Sequence, residues 1–408
     1  MRSLARTYRL DDFEALARRQ LPRAVYEFYA GGAEDESALR RNLHGFAALA
    51  LAPRLLQGVA SVETAVPLLG ATARMPVVIA PMGAVGFGRR GGDLDLARAA
   101  AAAGVPYVLS TTATASIETI ASQAGGRLWF QLYPLLQKQL MWQLVERARV
   151  AGFEALVLTA DVPVGGKRER DLRNDFSMPF KFTPRNLLDF ASRPRWALEM
   201  CLRGLPVLEN LKELAPPGSD GAAVAASVGA GFDPGFDWHG LAQIRQRWPG
   251  QLVLKGVLHA ADARRAAQLG CDAVVVSNHG GRQLDSAPAA IDALPGIVAE
   301  AGSAMTVLVD GGVRRGADVV KALALGADGV MLGRPALFGA CVAGQAGVER
   351  VLDILRDELE RTLKLCGVAQ ASAIAGADLL ARPGVKAAKQ AFGADISPAA
   401  APEKQTLC

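Results

Sequence analysis

The run Ser277-Asn278-His279-Gly280-Gly281-Arg282 sits directly behind an apolar stretch, Ala273 to Val276. An imidazole and a guanidinium joined by a tight glycine turn place a proton acceptor beside a rigid anion clamp. At the end of a buried strand, this pair suits an enzyme that takes a proton from a small carboxylic acid. A solvated loop carrying a stray histidine is the competing reading.

Other polar groups follow apolar runs in the same way. They are Pro81-Met82-Gly83, Ser110-Thr111-Thr112, Gln131 with Tyr133, Thr159 with Asp161, Lys255, Ser277 with His279, Asp310-Gly311-Gly312, and Gly333-Arg334. Asp310-Gly311-Gly312-Val313-Arg314 and Gly333-Arg334 offer bare backbone N–H groups, helix N-termini and two guanidiniums, the makings of a phosphate site. Lys255 ends an apolar run where an unpaired ammonium is costly to bury. It therefore faces either an electron-rich ligand or a carboxylate across the same mouth. Asp161 either orients His279 and stabilises its protonated form or caps the next helix. Arg168 stands in the charge run Gly165-Gly166-Lys167-Arg168-Glu169-Arg170, which suits a solvated face as well as a site.

The elements that must position these groups are legible as a repeat. Apolar runs at Val77–Ala80, Tyr107–Leu109, Leu128–Leu132, Ala155–Thr159, Leu252–Leu254, Ala273–Val276, Thr306–Val309 and Gly329–Leu332 lack alternation, as strands buried on both faces do. Helical stretches between them end in Gly104, Gly125, Gly152, Gly270, Gly302 and Gly326, each placed for a left-handed cap. Strand, helix, glycine, repeated, predicts an α/β chain folded as a (β/α)8 barrel, with strand C-termini sharing one mouth. A doubly wound sheet is set aside, because Gly83, Gly86 and Gly88 do not have dinucleotide-loop spacing.

The repeat breaks once. Residues 176–235 form a long insertion after the fourth strand, ahead of a helix that Asp237 is placed to cap. Its first half mixes Lys181, Arg185, Arg193, Arg195 and Arg203 with Phe180, Phe182, Leu187, Leu188 and Trp196, a composition for a membrane surface or for a cover over the barrel mouth. Its second half, Ala215 to Gly235, is rich in small residues and reads as a mobile loop. Residues 1–384 are expected to form the barrel unit with its N-terminal helical segment, and 385–408 a poorly ordered tail.

Composition narrows the function. A net charge of +5, with no basic run interleaved with aromatics, disfavours nucleic acid. Five scattered cysteines and four unpaired histidines provide no metal-binding pattern. No apolar run reaches the ~18 residues of a membrane span, and the N-terminal arginines are not followed by a signal-peptide core. The expected location is cytoplasmic, with peripheral attachment to the inner face of the inner membrane as the insertion's further implication.

Taken together, these motifs resemble the FMN-dependent 2-hydroxy acid dehydrogenases and oxidases, the family of glycolate oxidases, lactate dehydrogenases and mandelate dehydrogenases. The resemblance runs from about Asp11 to Gly384 and includes Leu21-Pro22, Gly31-Gly32-Ala33-Glu34-Asp35-Glu36, Trp129-Phe130-Gln131-Leu132-Tyr133, Lys255-Gly256, Ser277 to Asp285, and Lys321 to Ala327. It implies FMN, with Gly312, Arg314, Gly333 and Arg334 on the phosphate, and Ser110, Gln131 and Thr159 on the ring system. Pro81, Met82, Gly83, Ser277, Asp310 and Gly311 complete the cofactor set. Lys255 would stabilise negative charge on the reduced ring. His279 would be the base with Asp161 behind it, Arg282 and Arg168 would hold the substrate carboxylate, and Tyr133 would contact the hydroxyl.

Three positions refine that expectation. Phe28 stands where the family normally carries a carboxylate-binding tyrosine. Thr112 replaces the bulky tryptophan of short-chain glycolate oxidases, so the pocket should admit aromatic or longer acids. Gly83, and the insertion with Pro194-Arg195-Trp196, resemble the mandelate dehydrogenase-like members that work at membranes. The expected reaction is oxidation of an (S)-2-hydroxy acid to the 2-oxo acid, with electrons passed to a quinone or respiratory carrier. An oxidase that makes hydrogen peroxide and a non-redox FMN barrel are the alternatives. Relatives of this kind are often tetramers, so a homo-oligomer is expected.

Overall fold

Eight short parallel strands hydrogen-bond in a closed ring: β1 (Val77–Ile79), β2 (Tyr107–Ser110), β3 (Leu128–Leu132), β4 (Ala155–Thr159), β5 (Gln251–Val257), β6 (Ala273–Val276), β7 (Thr306–Asp310) and β8 (Gly329–Leu332). The ring closes where Val330 to Leu332 pair with Val77 to Ile79. The computed structural model describes residues 4–175, 183–214, 231–301, 304–374 and 379–381. Nearly every strand residue is buried, as expected of strands covered by helices outside and packed side chains inside. The (β/α)8 barrel is therefore the fold.

The interiors of the strands agree with the sequence pattern, and the ends extend it. β2 and β7 each run one residue further, so Ser110 and Asp310 are the last strand residues and point their chemistry at the mouth. β5 continues past Leu254 to Val257, with a register break between Lys255 and Val257 against β6. Gly256 makes that bulge at φ +104°, and a Cβ there would lie 2.6 Å from the Cβ of Asp161. The bulge thus lets the β4 loop approach beside Lys255. Five of the cap glycines, Gly104, Gly125, Gly152, Gly270 and Gly326, adopt positive φ; Gly302 lies outside the described residues.

Helices Leu10–Gln20, Arg23–Ala30 and Ser37–Ala47 precede the barrel. They are fastened to the site end of the barrel by buried polar contacts. The amides of Asn42 and Asn278 exchange two hydrogen bonds, at 2.7 and 2.9 Å. Gly312, at φ +101°, comes so near that a Cβ would sit 2.2 Å from the Asn42 carbonyl oxygen.

Within the 176–235 insertion, residues 176–182 and 215–230, including Phe180, Lys181 and Phe182, lie outside the described residues. What is described is bolted down. Helices Pro184–Ala191 and Pro194–Arg203 pack on the N-terminal segment and on the loop after β1. The Asp189 carboxylate accepts from the N–H groups of Arg23 and Ala24, capping the second helix. Asn210 bridges Ile117 N–H and the Ala115 carbonyl. Two expectations need correction. Trp196 is not a membrane-facing group: it is buried, with its indole N–H donating to the Phe87 carbonyl at 2.7 Å. Residues 231–235 are not a free loop end, since Asp233 N–H donates to the Pro134 carbonyl and Leu136 N–H to that of Gly231. Asp237 caps the helix Trp238–Arg247 as expected. The tail from 385 onward lies outside the described residues, and no helix among the described residues is long and apolar enough to cross a membrane.

The paired amides of Asn42 and Asn278 set a test of how the N-terminal segment is held. Asn42→Ala leaves the buried Asn278 amide short of a partner and should cost ~1–3 kcal/mol. A urea-unfolding midpoint unchanged from that of the parent would show that the pair does not fasten the segment.

Candidate active site

The strand C-termini open into a cavity of about 480 Å³. His279 enters it from the loop after β6 in the left-handed conformation, φ +57°, which histidine tolerates better than bulky branched residues do. Its backbone N–H donates to Ser277 Oγ at 3.0 Å. Its Nδ1 lies 2.9 Å from Asp161 Oδ1. A carboxylate at Nδ1 fixes the proton there and leaves the Nε2 lone pair toward the cavity, 3.5 Å from the Tyr133 hydroxyl. Burial alone would raise the Asp161 carboxyl, but His279 and Lys255 outweigh it and hold the group below its ordinary value. Of the two readings of Asp161, orientation of His279 is the one the fold adopts.

Lys255 is almost wholly enclosed, and it has a carboxylate partner. Its ammonium donates to Ser277 Oγ at 2.7 Å and pairs with Asp310 Oδ2 at 2.9 Å. Burial pushes its pKa down, but Asp310 and Asp161 more than offset this and keep it above the usual lysine value. The ammonium therefore stays charged while lining the cavity. An unmet charge is not what places it there.

Four guanidiniums, those of Arg168, Arg282, Arg314 and Arg334, line the pocket. Arg282 Nη1 donates to the carbonyls of Phe28 and Gly31, at 2.7 and 2.9 Å. Burial, then Arg168 and Arg334, lower its pKa to about 9. Arg334 donates to the carbonyls of Tyr29, Gly280 and Gly31, and burial and Arg314 lower it to about 10. Arg168 is held by Asp171 at 2.6 Å, and it lines the cavity instead of a solvated face. Neutral carbonyls orient Arg282 and Arg334 without cancelling their charge, so an anion entering the cavity relieves the strain of burying them. The Phe28 ring lies under both Arg168 and Arg282, with centroids at 5.7 and 5.3 Å. The face of an aromatic ring thus meets the two guanidiniums where a tyrosine hydroxyl was the family pattern.

Several buried polar atoms lack a protein partner: Gln131 Nε2, Thr159 Oγ1 and Asp310 Oδ1. The Gln131 oxygen accepts from Ser110 Oγ at 3.1 Å, which leaves its NH2 as a pure donor. A donor amide, a hydroxyl and a lone carboxylate oxygen beside the Lys255 ammonium fit a polar heterocycle carrying a hydroxylated chain. Next along the wall, Gly311 and Gly312 after β7 and Gly333 at the start of the helix Arg334–Ala343 line the cavity with Arg314 and Arg334. That arrangement fits a phosphate. The residues present therefore fit FMN. Pro81, Met82 and Gly83 line the same cavity. A Cβ on Gly83 would fall 2.1 Å from Thr112 Oγ1, so the two positions are packed as a pair.

The fold brings together nearly all of the expected residues; Ser110, Gln131, Asp161 and Ser277 stand just behind the lining. Sequence reasoning missed Val162, Leu208, Phe232, Asp171 and Gln283, which also line the cavity. Phe232 packs on Tyr133 with centroids 4.7 Å apart. Its small-residue surroundings provided no signal. Gln283 had one, as it lies inside the His279 motif. Among the described residues no group of His, Cys, Asp and Glu could hold a metal ion.

A family model described as FMN-dependent dehydrogenase matches residues 17–381, and the chain belongs to that family; its cofactor is FMN. The (S)-mandelate dehydrogenase of Pseudomonas putida is 41% identical over 360 residues, covering 88% of this chain and 90% of that one. An L-lactate dehydrogenase of Caulobacter sp. (strain K31) is also 41% identical over 360 residues, covering 88% and 94%. The crystal structure of a monotopic membrane protein, (S)-mandelate dehydrogenase, superposes with a TM-score of 0.89 at 40% identity, covering 92% of this chain and all of that one.

Asp93 braces the rim of this site. Its Oδ2 accepts from the Thr114 N–H at 3.0 Å, and Thr114 Oγ1 accepts from Gly86 N–H at 3.0 Å, joining the loops after β1 and β2. Burial raises the Asp93 carboxyl to about 6. A carboxyl raised on folding contributes stability below its unfolded pKa and loses it as pH rises through the folded one. Asp93→Asn should therefore lose less stability than the parent between about pH 4.5 and about pH 7.5, as read from urea midpoints. Parallel profiles for the two proteins would show that Asp93 does not titrate with a raised pKa.

Proposed function

We propose that this protein oxidises an (S)-2-hydroxy acid of the mandelate type to the 2-oxo acid and passes the electrons to a membrane quinone. The observation that carries this reading is the His279–Asp161 pair beside a cavity that Arg282, Arg168 and aromatic side chains line. Arg282 and Arg168 hold the substrate carboxylate. Tyr133 contacts the hydroxyl, and His279 Nε2 takes the hydroxyl proton, with Asp161 stabilising the imidazolium that forms. FMN, when bound, would supply the two-electron acceptor, taking the Cα hydrogen with its bonding electron pair as the carbinol becomes a carbonyl. Ser110, Gln131 and Thr159 hold its ring, Lys255 supplies positive charge beside it, and Gly312, Arg314, Gly333 and Arg334 hold its phosphate. Pro81, Met82, Gly83, Ser277, Asp310 and Gly311 shape the surrounding walls. Phe28, Val162, Leu208 and Phe232 with Tyr133 provide an apolar surface for an aryl group, and Thr112 leaves it room.

Residues 1–384 would act as one unit, as a homotetramer, with the insertion both covering the mouth and meeting the membrane. Support for the membrane contact comes from Leu187, Leu188, Leu198 and Leu202, which are exposed along two adjacent helices with Arg195 and Arg203. The (S)-mandelate dehydrogenase at 0.89 TM-score is described as monotopic.

Anaerobic addition of (S)-mandelate should bleach the flavin absorbance faster than L-lactate does; a faster lactate reaction would overturn the aryl assignment. His279→Asn should keep the flavin and slow bleaching by ~10²–10⁴-fold, and unchanged bleaching would remove His279 as the base. Peroxide formed one-for-one with product in air would point to an oxidase. Replacing Leu187, Leu188, Leu198 and Leu202 with serine should move the protein from the membrane to the soluble fraction, whereas retention on membranes would refute that contact.

A further inference from the structure

Gln283 reaches out of the His279 loop and spends its whole amide on the loop after β4. Its Nε2 donates to the Asp161 carbonyl at 3.1 Å and to the Val164 carbonyl at 2.9 Å. Its Oε1 accepts from Gly166 N–H at 3.0 Å. Two carbonyls on one side and an N–H on the other admit only one orientation of the amide. The two loops are pressed together at that point, because a Cβ on Gly166 would lie 2.2 Å from the Arg282 carbonyl oxygen. Asp161 opens the clamped segment and Arg168 follows two residues beyond Gly166, while His279 and Arg282 precede Gln283 on its own loop. This one side chain thus ties the loop that carries Asp161 to the loop that carries His279.

We infer that Gln283 is a positioning residue for the reaction, acting through Asp161 by fixing the 161–166 loop against the 279–283 loop. The inference rests on the reading of His279 as base. Misplacement of a catalytic group by about an ångström costs ~10²-fold in rate. Loss of this clamp should thus slow the enzyme without touching a reacting atom.

The test is a double-mutant cycle on the FMN-loaded enzyme, using (S)-mandelate, with Gln283→Met, Asp161→Ala and the pair. Gln283→Met should lower the flavin-reduction rate by ~10–100-fold. In the Asp161→Ala background the same change should cost under ~3-fold, because the group it positions is gone. Hydrogen exchange, a readout independent of turnover, should quicken at Gly166 and across 161–168. If Asp161→Ala reduces at the parental rate, the base assignment itself fails. If Asp161→Ala is slow while Gln283→Met either leaves the rate unchanged or subtracts its full factor again, the role of Gln283 is overturned. Should Gln283→Met fail to give soluble holoenzyme, Gln283→Glu replaces it in the same cycle: it keeps the acceptor for Gly166 N–H and loses both donated bonds.

Discussion

The carbonyl oxygen of Gly31 accepts hydrogen bonds from two buried guanidiniums, Arg282 after β6 and Arg334 after β8. Most of what is distinctive in this site depends on that contact. Guanidiniums taken from water need partners, and carboxylate partners would neutralise the site. Backbone carbonyls satisfy the N–H groups yet leave net charge, and the lowered pKa values of both arginines record that charge. An anion-binding pocket results from partners chosen for their neutrality. The N-terminal segment that provides the carbonyls is thereby part of the active site and not an appendage to the barrel.

Elsewhere in the cavity the polar groups are paired closely. Lys255 with Asp310, and His279 with Asp161, are each within 2.9 Å. The bulge at Gly256 allows both pairs to fit, since it brings the β4 loop against the strand that carries Lys255. Lys255 and His279 thus face carboxylates, whereas Arg282 and Arg334 keep charges that only backbone carbonyls contact. A carboxylate is drawn to one wall, and proton transfer is organised at the next.

Much of this was legible in the chain. Buried parallel strands are spelled as continuous apolar runs, and in a barrel their ends must converge, so residues as far apart as Ser110 and Arg334 could be assigned to one mouth. Arg168 and Asp161 could not be settled, because a charge run and a helix-capping aspartate look alike until the loops are placed. The pairing of Lys255 with Asp310 was an alternative that only the cross-barrel distance decides. Trp196 misled because an indole in a basic, apolar segment looks like a membrane anchor, whereas Phe87 offered it a buried acceptor. Phe232 was illegible: its contact with Tyr133 depends on a loop returning across the mouth, which local composition does not encode.

The sharing of Gly31 also bears on how the protein is made. Its carbonyl leaves the ribosome 251 residues ahead of Arg282 and 303 ahead of Arg334. A nascent chain therefore has the roof of the pocket long before either cation that fastens it, and strands emerging between the two must pair first. The electropositive cavity comes into existence only when synthesis is nearly complete. Until Arg334 is made, the carbonyl of Gly31 lacks one of the two cations it holds in the finished barrel.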